Sequence, residues 1–337
     1  RRTLPLSVSS CLMKSDLIIR VLRQYEIRQP DCVTPISTGR GFSGANLWKI
    51  EVGSDLYCLK QWTQGMPKAK TRDLITTVLP QISSRGLDLA CPIESVEGGH
   101  LIRIAGRIWD LSRWINGSPV VDTAVSENQL QSAMEWLASY HNLAGEVCSS
   151  QGFSPSLEYR MELTRKLHEN TLVKLANYPY EGIDPELVQL FVGFASKQLG
   201  NFSVALKMAA SQLYPLLPVI ADLWSDHVFF VQDRVSGVID FGAMKMDTPC
   251  LDLARLLGCY QTHLDSAISK GLEYYHALRP VSEAQRQLIE LYDRAYVTLA
   301  GVQWLIWLGP EKRVFSDMSR VNNRLKRIAR RISESNS

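Results

Sequence analysis

The chain has 337 residues, which is enough for one large or two modest domains with a buried core. Apolar residues make up 45% of it and charged residues 21%, which is ordinary for a soluble globular protein. The net charge of +3 points to neither a nucleic acid nor a membrane as a partner, and we predict contact with neither.

The first third of the chain is predicted to be rich in short strands. Residues 15–26 carry apolar side chains at helical spacing, which predicts a first helix in an N-terminal extension over residues 1–31. A second helix is expected over 71–84. Strands are predicted at 33–36, 46–52, 56–62, 91–97, 100–104 and 107–114. These elements define a small sheet-rich domain over residues 32–113.

A glycine-rich turn joins the first two strands of this domain. It contains Gly39, Gly41, Ser43 and Gly44. Because glycine has no side chain, such a turn can bring backbone N–H groups close to phosphate oxygens. A hairpin without a ligand also often has two or three glycines. The position of the turn ahead of a lysine-bearing strand favours a nucleotide site.

That lysine is Lys60, on the strand over 56–62. Strand alternation puts it on the same face as Leu56, Cys58 and Trp62. An amine on an otherwise apolar face needs an anionic partner, and the α- and β-phosphates of a nucleotide would supply one. The alternative is an amine that extends past the edge of the sheet into water. We favour the phosphate contact.

The rest of the chain is predicted to form a larger helical domain over residues 114–337. The apolar run 297–310 is shorter than the roughly 20 residues of a membrane span, so we expect a buried helix there. The basic stretch 320–331 is expected to dock its apolar stripe on this domain. Seven dispersed cysteines, an odd number, are typical of reduced thiols in a cytoplasmic protein. The predicted helices cover 126–144, 157–178 and 185–214, with a loop over 145–156.

A polar loop and an Asp-Phe-Gly turn flank a predicted hairpin in the helical domain. The loop, 222–227, leads into a strand over 228–231, and a second strand, 238–239, ends at Asp240. Because a hairpin returns the chain on itself, Asp222 and Asp240 are expected to lie close together. In kinases one such carboxylate acts on the attacking hydroxyl, and the other holds the Mg²⁺ that bridges the phosphates. We therefore predict Asp222 as the base and Asp240 as a metal ligand.

These motifs resemble those of the aminoglycoside phosphotransferase-like (choline kinase-like) family of small-molecule kinases. The family has a His-Gly-Asp loop, an Asn five residues after that Asp, and an Ile-Asp-Phe/Trp-Gly turn. Residues 239–242 match the turn, and residues 39–46 resemble the nucleotide loop of the family. In the His-Gly-Asp loop, however, Ile220 replaces the His, and His227 replaces the Asn.

The resemblance implies an α+β, bilobal, protein-kinase-like fold with a small sheet-rich lobe and a larger helical lobe. It also implies that ATP, with Mg²⁺, phosphorylates a hydroxyl group of a small molecule. Leu111 and Arg113 fall at the linker where the family binds adenine through backbone groups. Kinases pair the strand lysine with a Glu on the next helix, which here has none. Asp73 is either that partner or an acid favoured by the helix dipole.

The replacement at His227 leaves three arrangements of the metal site open. His227 binds the ion in place of Asn, Asp226 does so, or Asp240 holds a single ion alone. A neutral imidazole can bind a divalent cation, although Mg²⁺ prefers oxygen. We favour a site role for His227, and an ordinary hydrogen-bonded histidine is the alternative.

Further residues are assigned to structure. Asp252 matches a family Asp that bonds the catalytic loop, and His141 matches a histidine that we assign to packing. Four aromatic residues could form a cage for a quaternary ammonium ligand, but their helical spacing favours the core; they are Tyr292, Tyr296, Trp304 and Trp307.

The missing His, Asn and helix Glu leave a second hypothesis, a catalytically impaired pseudokinase that binds nucleotide or acts as a scaffold. The retained Asp222, Asp240 and Lys60 favour an active enzyme. Acidic and basic residues are mixed in the helical domain, so the sequence does not predict which acceptor is used. It also predicts neither the oligomeric state nor a choice between ATP and GTP.

Overall fold

Contacts between residues divide the chain into two units, Arg1–Asn116 and Gly117–Ser337. The computed structural model describes residues 16–36, 44–121, 124–261, 266–315 and 317–334. Within these residues, helices and strands are mixed in the way that an α+β protein requires. No described helix combines the length and the apolar character needed to cross a membrane.

The first unit is built on a five-stranded antiparallel sheet in the order β1-β2-β3-β5-β4. A helix over 16–22, α1, packs on one face of the sheet, where Val21 and Leu22 join Ile50 and Leu59 in a buried core. The bounds of the other elements are β1 Cys32–Ile36, β2 Asn46–Val52, β3 Asp55–Gln61, α2 Ala69–Ser83, β4 Ile102–Ile104 and β5 Arg107–Arg113.

The strand predicted over 91–97 is wrong. Only an isolated bridge between Pro92 and Ser112 forms there. Pro92 has no N–H to donate to a ladder, and a turn closed by a hydrogen bond from Gly98 N–H to the Ser95 carbonyl follows at once. The alternating pattern of this segment therefore does not extend the sheet.

The second unit is mainly helical, with two small three-stranded sheets in the orders β10-β9-β6 and β11-β8-β7. Helix α9 is central, because α6, α7 and α10 all pack against it, while α3 packs against α8. The helices are α3 Glu127–Val147, α4 Pro155–Lys166, α5 Glu169–Ala176, α6 Pro185–Ala210, α7 Cys250–Gln261, α8 Ala267–Leu278, α9 Glu283–Leu308 and α10 Met318–Glu334. The strands are β6 Ser118–Pro119, β7 Ser150–Gly152, β8 Tyr214–Val219, β9 Val228–Val231, β10 Arg234–Val238 and β11 Lys245–Asp247.

Two sequence-based predictions in this unit need correction, and one strand was not predicted. The helix expected over 157–178 is two helices, because the chain leaves helical geometry at Leu167, which is buried. The central strand β8 was not predicted, since Pro215 and Pro218 argue against a strand. The second hairpin strand begins at Arg234 and contains a register shift before Gly237, so the turn is shorter than expected. The docking of α10 on α6 and α9 is confirmed.

Candidate active site

A buried carboxylate on α7 holds the loop that precedes Asp222. The two oxygens of Asp252 accept hydrogen bonds from the backbone N–H groups of Ile220, at 2.8 Å, and Ala221, at 2.7 Å. Ala221 has φ of 68°, a left-handed conformation that an alanine adopts at some cost. The two charge-assisted bonds stabilise this conformation and fix the direction in which the chain enters Asp222. The predicted structural role of Asp252 is confirmed.

His141 supports Asp252 from α3. Its Nε2 lies 3.2 Å from Asp252 Oδ2, and its Nδ1 lies 2.8 Å from the hydroxyl of Tyr275. Burial is the largest effect on His141 and lowers its pKa, so the ring is neutral. A neutral ring donates from Nε2 to the carboxylate and accepts at Nδ1 from the tyrosine. His141 is thus packed, as the sequence predicts, and also orients Asp252.

The side chain of Asp222 is exposed and is oriented by a neighbour. The indole N–H of Trp224 donates to Asp222 Oδ1 at 2.6 Å. This hydrogen bond occupies only one of the two carboxylate oxygens, and the group lies at the surface of the second unit. Asp222 therefore has a fixed orientation and one carboxylate face that a substrate can reach.

His227 connects the loop of Asp222 to the strand end that carries Asp240. Its Nδ1 lies 2.9 Å from the backbone carbonyl of Asp222. Its own carbonyl accepts a hydrogen bond from Ile239 N–H at 3.0 Å. Since a carbonyl can only accept, Nδ1 is the donor in this bond, and Nε2 is the ring nitrogen that the bond does not use. His227 therefore bonds to the backbone of Asp222 and to that of Ile239, the residue before Asp240. This agrees with the prediction that the hairpin brings the two aspartates close together.

Asp240 begins the Asp-Phe-Gly turn in a left-handed conformation, with φ of 63°. It is half-buried, and Gly242 N–H lies 3.4 Å from its Oδ1. Asp226, the other acid considered as a metal ligand, lies 3.8 Å from Arg324 Nη2 and forms an ion pair with it. Within the described ranges, no three His, Cys, Asp or Glu side chains form a closed metal cluster.

In the first unit, Lys60 lies directly opposite Asp110 in the register of β3 and β5. Asp110 is buried and accepts a hydrogen bond from the indole N–H of Trp62, while the Lys60 amine lies 3.9 Å from the centre of the Trp62 ring. Asp73, the acid suggested by the sequence, is exposed on α2. Sequence reasoning missed Asp110, because the pairing of β3 with β5 is not encoded in local spacing.

The other predicted nucleotide residues lie in the first unit. Gly39, Gly41 and Ser43 are outside the described residues. Gly44 has φ of +67°, and an added Cβ would lie 3.2 Å from Thr63 Cγ2, so glycine suits this position. The predicted linker residue Leu111 is buried, and its carbonyl accepts a hydrogen bond from Ile93 N–H at 2.7 Å. Arg113 is exposed at the end of β5, and the roles of these residues stay predictions.

The aromatic residues on α9 contribute to the core of the second unit, as their spacing indicates. Tyr292 and Trp304 are buried. The Tyr292 hydroxyl lies 2.6 Å from Ser154 Oγ, which in turn donates to Asp247 at 2.6 Å. Because Tyr292 is part of this buried hydrogen-bond network, it does not line a binding site for a quaternary ammonium ligand.

A family model described as "Phosphotransferase enzyme family" matches residues 34–286 of this chain. The match includes the Lys60 strand, the Asp222 loop and the Asp-Phe-Gly turn. It covers most of the first unit and the second unit as far as the start of α9.

Curated relatives and solved structures were also found. A homoserine kinase of Granulibacter bethesdensis is 41% identical over 94 residues, which cover 26% of this chain and 30% of that protein. A homoserine kinase of Brucella anthropi is 27% identical over 225 residues, which cover 64% of this chain and 62% of that protein. Each match therefore spans less than two thirds of the relative's length.

The structure of the amicoumacin kinase hAmiN in complex with AMP-PNP, Ca²⁺ and Ami aligns with a TM-score of 0.60 and 15% identity. The alignment covers 94% of this chain and 95% of that one. At this identity the likeness concerns the fold. It confirms the predicted α+β, kinase-type fold with a small sheet-rich lobe and a larger helical lobe.

Proposed function

Because this chain belongs to the phosphotransferase enzyme family, we propose that it transfers the γ-phosphoryl group of ATP to a hydroxyl group of a small molecule. The observation that carries this proposal is the loop geometry around Asp222. Asp252 fixes the backbone ahead of Asp222 through two short hydrogen bonds, and His227 ties the same loop to the backbone beside Asp240. A plain surface hairpin has no need of a buried, charged support of this kind.

In the proposed reaction the acceptor hydroxyl oxygen forms a bond to the γ-phosphorus as the bond from that phosphorus to the bridging oxygen breaks. The hydroxyl proton passes to the Asp222 carboxylate, and ADP leaves with the bonding electrons. Trp224 holds one oxygen of Asp222, so the other is directed to the acceptor. Since phosphoryl transfer asks little covalent chemistry of the protein, positioning supplies most of the rate.

The residues of the loop fit a divalent cation, for which we propose Mg²⁺. Asp240 offers a carboxylate, and the bond from His227 Nδ1 to a backbone carbonyl is the arrangement that usually orients a metal-binding imidazole. Asp226 is the weaker candidate, because it pairs with Arg324. Few protein ligands are expected, since Mg²⁺ in nucleotide sites keeps waters and phosphate oxygens. When bound, the ion would neutralise charge on the phosphates.

For the nucleotide itself we propose Lys60 as the contact to the α- and β-phosphates, with the turn over 39–44 covering them. Leu111 and Arg113 remain our candidates for the adenine edge. Asp110, opposite Lys60 in the sheet, would orient the amine in place of the helix Glu of other kinases.

The second candidate is a pseudokinase, which Ile220 and His227 favour because they replace two residues of the catalytic loop. An acceptor screen with purified protein, ATP and Mg²⁺ separates the two functions, with homoserine as its first member. ADP formation that depends on one acceptor supports the kinase. A shift in melting temperature with MgATP, but no ADP above background with any acceptor, would instead identify a nucleotide-binding module.

A further inference from the structure

We propose that the acceptor carries an oxyanion group, a carboxylate or a phosphate, which is bound by a basic cluster beside Asp222. The basic cluster consists of Lys245, Arg160 and Arg255, all in the second unit. This proposal rests on the proposed kinase function and names the class of its acceptor. Four observations support it: the position of Arg255, its lack of a partner, its connection to the other two bases, and the balance of charge.

The first observation is that Arg255 and Asp222 both contact the same side chain, Trp224. Its guanidinium is 4.4 Å from the centre of the Trp224 ring and 4.4 Å from that of Tyr296. The same Trp224 donates its indole N–H to Asp222. Arg255 is therefore separated from the candidate base by a single side chain. In the proposed complex, an acceptor with its hydroxyl at Asp222 places its other end at this guanidinium.

The second observation is that the Arg255 guanidinium forms no hydrogen bond or ion pair with any residue in the described part of the chain. Its Nη1 is fully buried. A guanidinium has five N–H donors, and leaving them unmet away from water costs free energy. The two aromatic faces attract its charge without satisfying the donors. A planar oxyanion that accepts two of these N–H groups is the chemistry that fits.

The third observation is that the cluster is continuous. The Arg160 guanidinium is 5.1 Å from the centre of the Tyr292 ring, and Tyr292 lies one helical turn before Tyr296 on α9. Arg160 Nη1 donates to the Ser156 carbonyl at 3.0 Å, and the Lys245 amine donates to Ser156 Oγ at 2.6 Å. Burial lowers the pKa of Arg160 to about 10, and the nearby charge of Arg255 contributes, so Arg160 is still cationic at neutral pH.

The fourth observation is that acids do not balance these three bases. Two acids lie near these bases. Asp252 is bonded to the backbone N–H groups of Ile220 and Ala221 and to His141, and Asp247 lies 3.5 Å from the Lys245 amine. Its oxygens already accept hydrogen bonds from Ser154 Oγ and from the N–H groups of Ser156 and Thr248. Asp226 is paired with Arg324 instead. The excess positive charge would repel a polycationic acceptor and attract an anionic one.

The test compares short acceptors that share a terminal hydroxyl group and differ in the group at the far end. The set is 4-hydroxybutanoate, 3-hydroxypropyl phosphate, the neutral 4-hydroxybutanamide and the cationic 4-aminobutan-1-ol, each with MgATP. We expect kcat/KM for one of the two anions to exceed that for the amide by roughly tenfold to 100-fold, as for a charged hydrogen-bonded pair. The two anions distinguish a carboxylate subsite from a phosphate subsite.

Arg255→Gln and Arg160→Gln should remove this preference while the amide reacts at a changed but still measurable rate. Equal loss for anion and amide would mean that the arginines only support the fold, and a preference for the amide or the amine in the wild type would overturn the proposal. If neither these compounds nor any acceptor of the wider screen is phosphorylated, the kinase function fails. Calorimetric titration with both anions then tests the anion subsite separately. Binding of an anion to the wild type but not to Arg255→Gln supports the subsite. No binding to the wild type overturns it.

Discussion

The imidazole Nδ1 of His227 donates a hydrogen bond to the backbone carbonyl of Asp222, 2.9 Å away. The donor and acceptor are the two ends of the short loop that leads into β9. Because this bond uses Nδ1, a cation would bind through the other ring nitrogen, Nε2. The histidine that replaces the family Asn therefore has an orienting bond and a second ring nitrogen that this bond does not use.

We predict that His227→Ala will lower kcat and raise the Mg²⁺ concentration needed for half-maximal activity, by about tenfold to 100-fold. His227→Asn, which restores the residue of the family pattern, should retain more activity than His227→Ala. His168→Ala, at an exposed position, is the matched control. Titration of activity with Mg²⁺ measures the effect. An unchanged Mg²⁺ requirement in His227→Ala would leave His227 with a structural role only.

Substitution of Asp222 and substitution of Asp240 should affect turnover and MgATP binding differently. Asp222→Ala is expected to lower kcat by about 10²- to 10⁴-fold, the usual contribution of a general base, and to leave MgATP affinity near that of the wild type. Asp240→Ala should weaken MgATP binding as well, because a metal ligand is lost. Calorimetry and steady-state kinetics on both variants measure this, with Glu290→Ala on the exposed face of α9 as control. Wild-type turnover in both variants would refute both roles.

Asp252→Asn should destabilise the second unit and reduce activity together. The substitution keeps the shape of the side chain but weakens two charge-assisted hydrogen bonds to Ile220 and Ala221, each worth roughly 1.5–3 kcal/mol. We expect a loss of about 2–4 kcal/mol in the free energy of unfolding, measured with urea. Asp184→Asn, at an exposed helix N-cap where Asn serves equally well, should change stability little. A loss no larger than that of Asp184→Asn would argue against the support role.

Local patterns in the sequence predicted the elements that local physics determines. The strand over 46–52 was predicted with its observed bounds, because alternating side chains and the turn at Gly53 define it without help from the rest of the chain. The role of Asp252 came from the family resemblance rather than from local spacing. In contrast, the pairing of Lys60 with Asp110 depends on β3 lying beside β5 rather than β4. The stacking of Arg255 on Trp224 likewise depends on how α7 packs, which the spacing of residues along the sequence does not predict.

The position of Asp110 leads to a prediction for the first unit. If Asp110 orients the Lys60 amine, Asp110→Asn should raise the Kd for MgATP by roughly tenfold, since one charged interaction is weakened. Asp73→Asn should have no such effect, because Asp73 is exposed on α2. Equilibrium binding of a fluorescent ATP analogue measures both. A larger effect at Asp73 than at Asp110 would restore the acid that the sequence suggested as the partner.

The buried histidine gives the protein a predictable response to acid. Burial lowers the pKa of His141 below its ordinary 6.5, so between the two values the unfolded chain binds a proton that the folded one does not. Stability therefore rises with pH through this window, and it is lost as the pH falls below about 6.5. We expect the free energy of unfolding in urea to decrease from pH 7.5 to pH 5.5 in the wild type. The decrease should be smaller in His141→Gln, which cannot titrate but keeps a donor for Asp252. His168→Gln, exposed on the same unit, should retain the wild-type slope. Equal slopes in all three proteins would contradict the assignment of this response to His141, whatever the absolute stability of the variants.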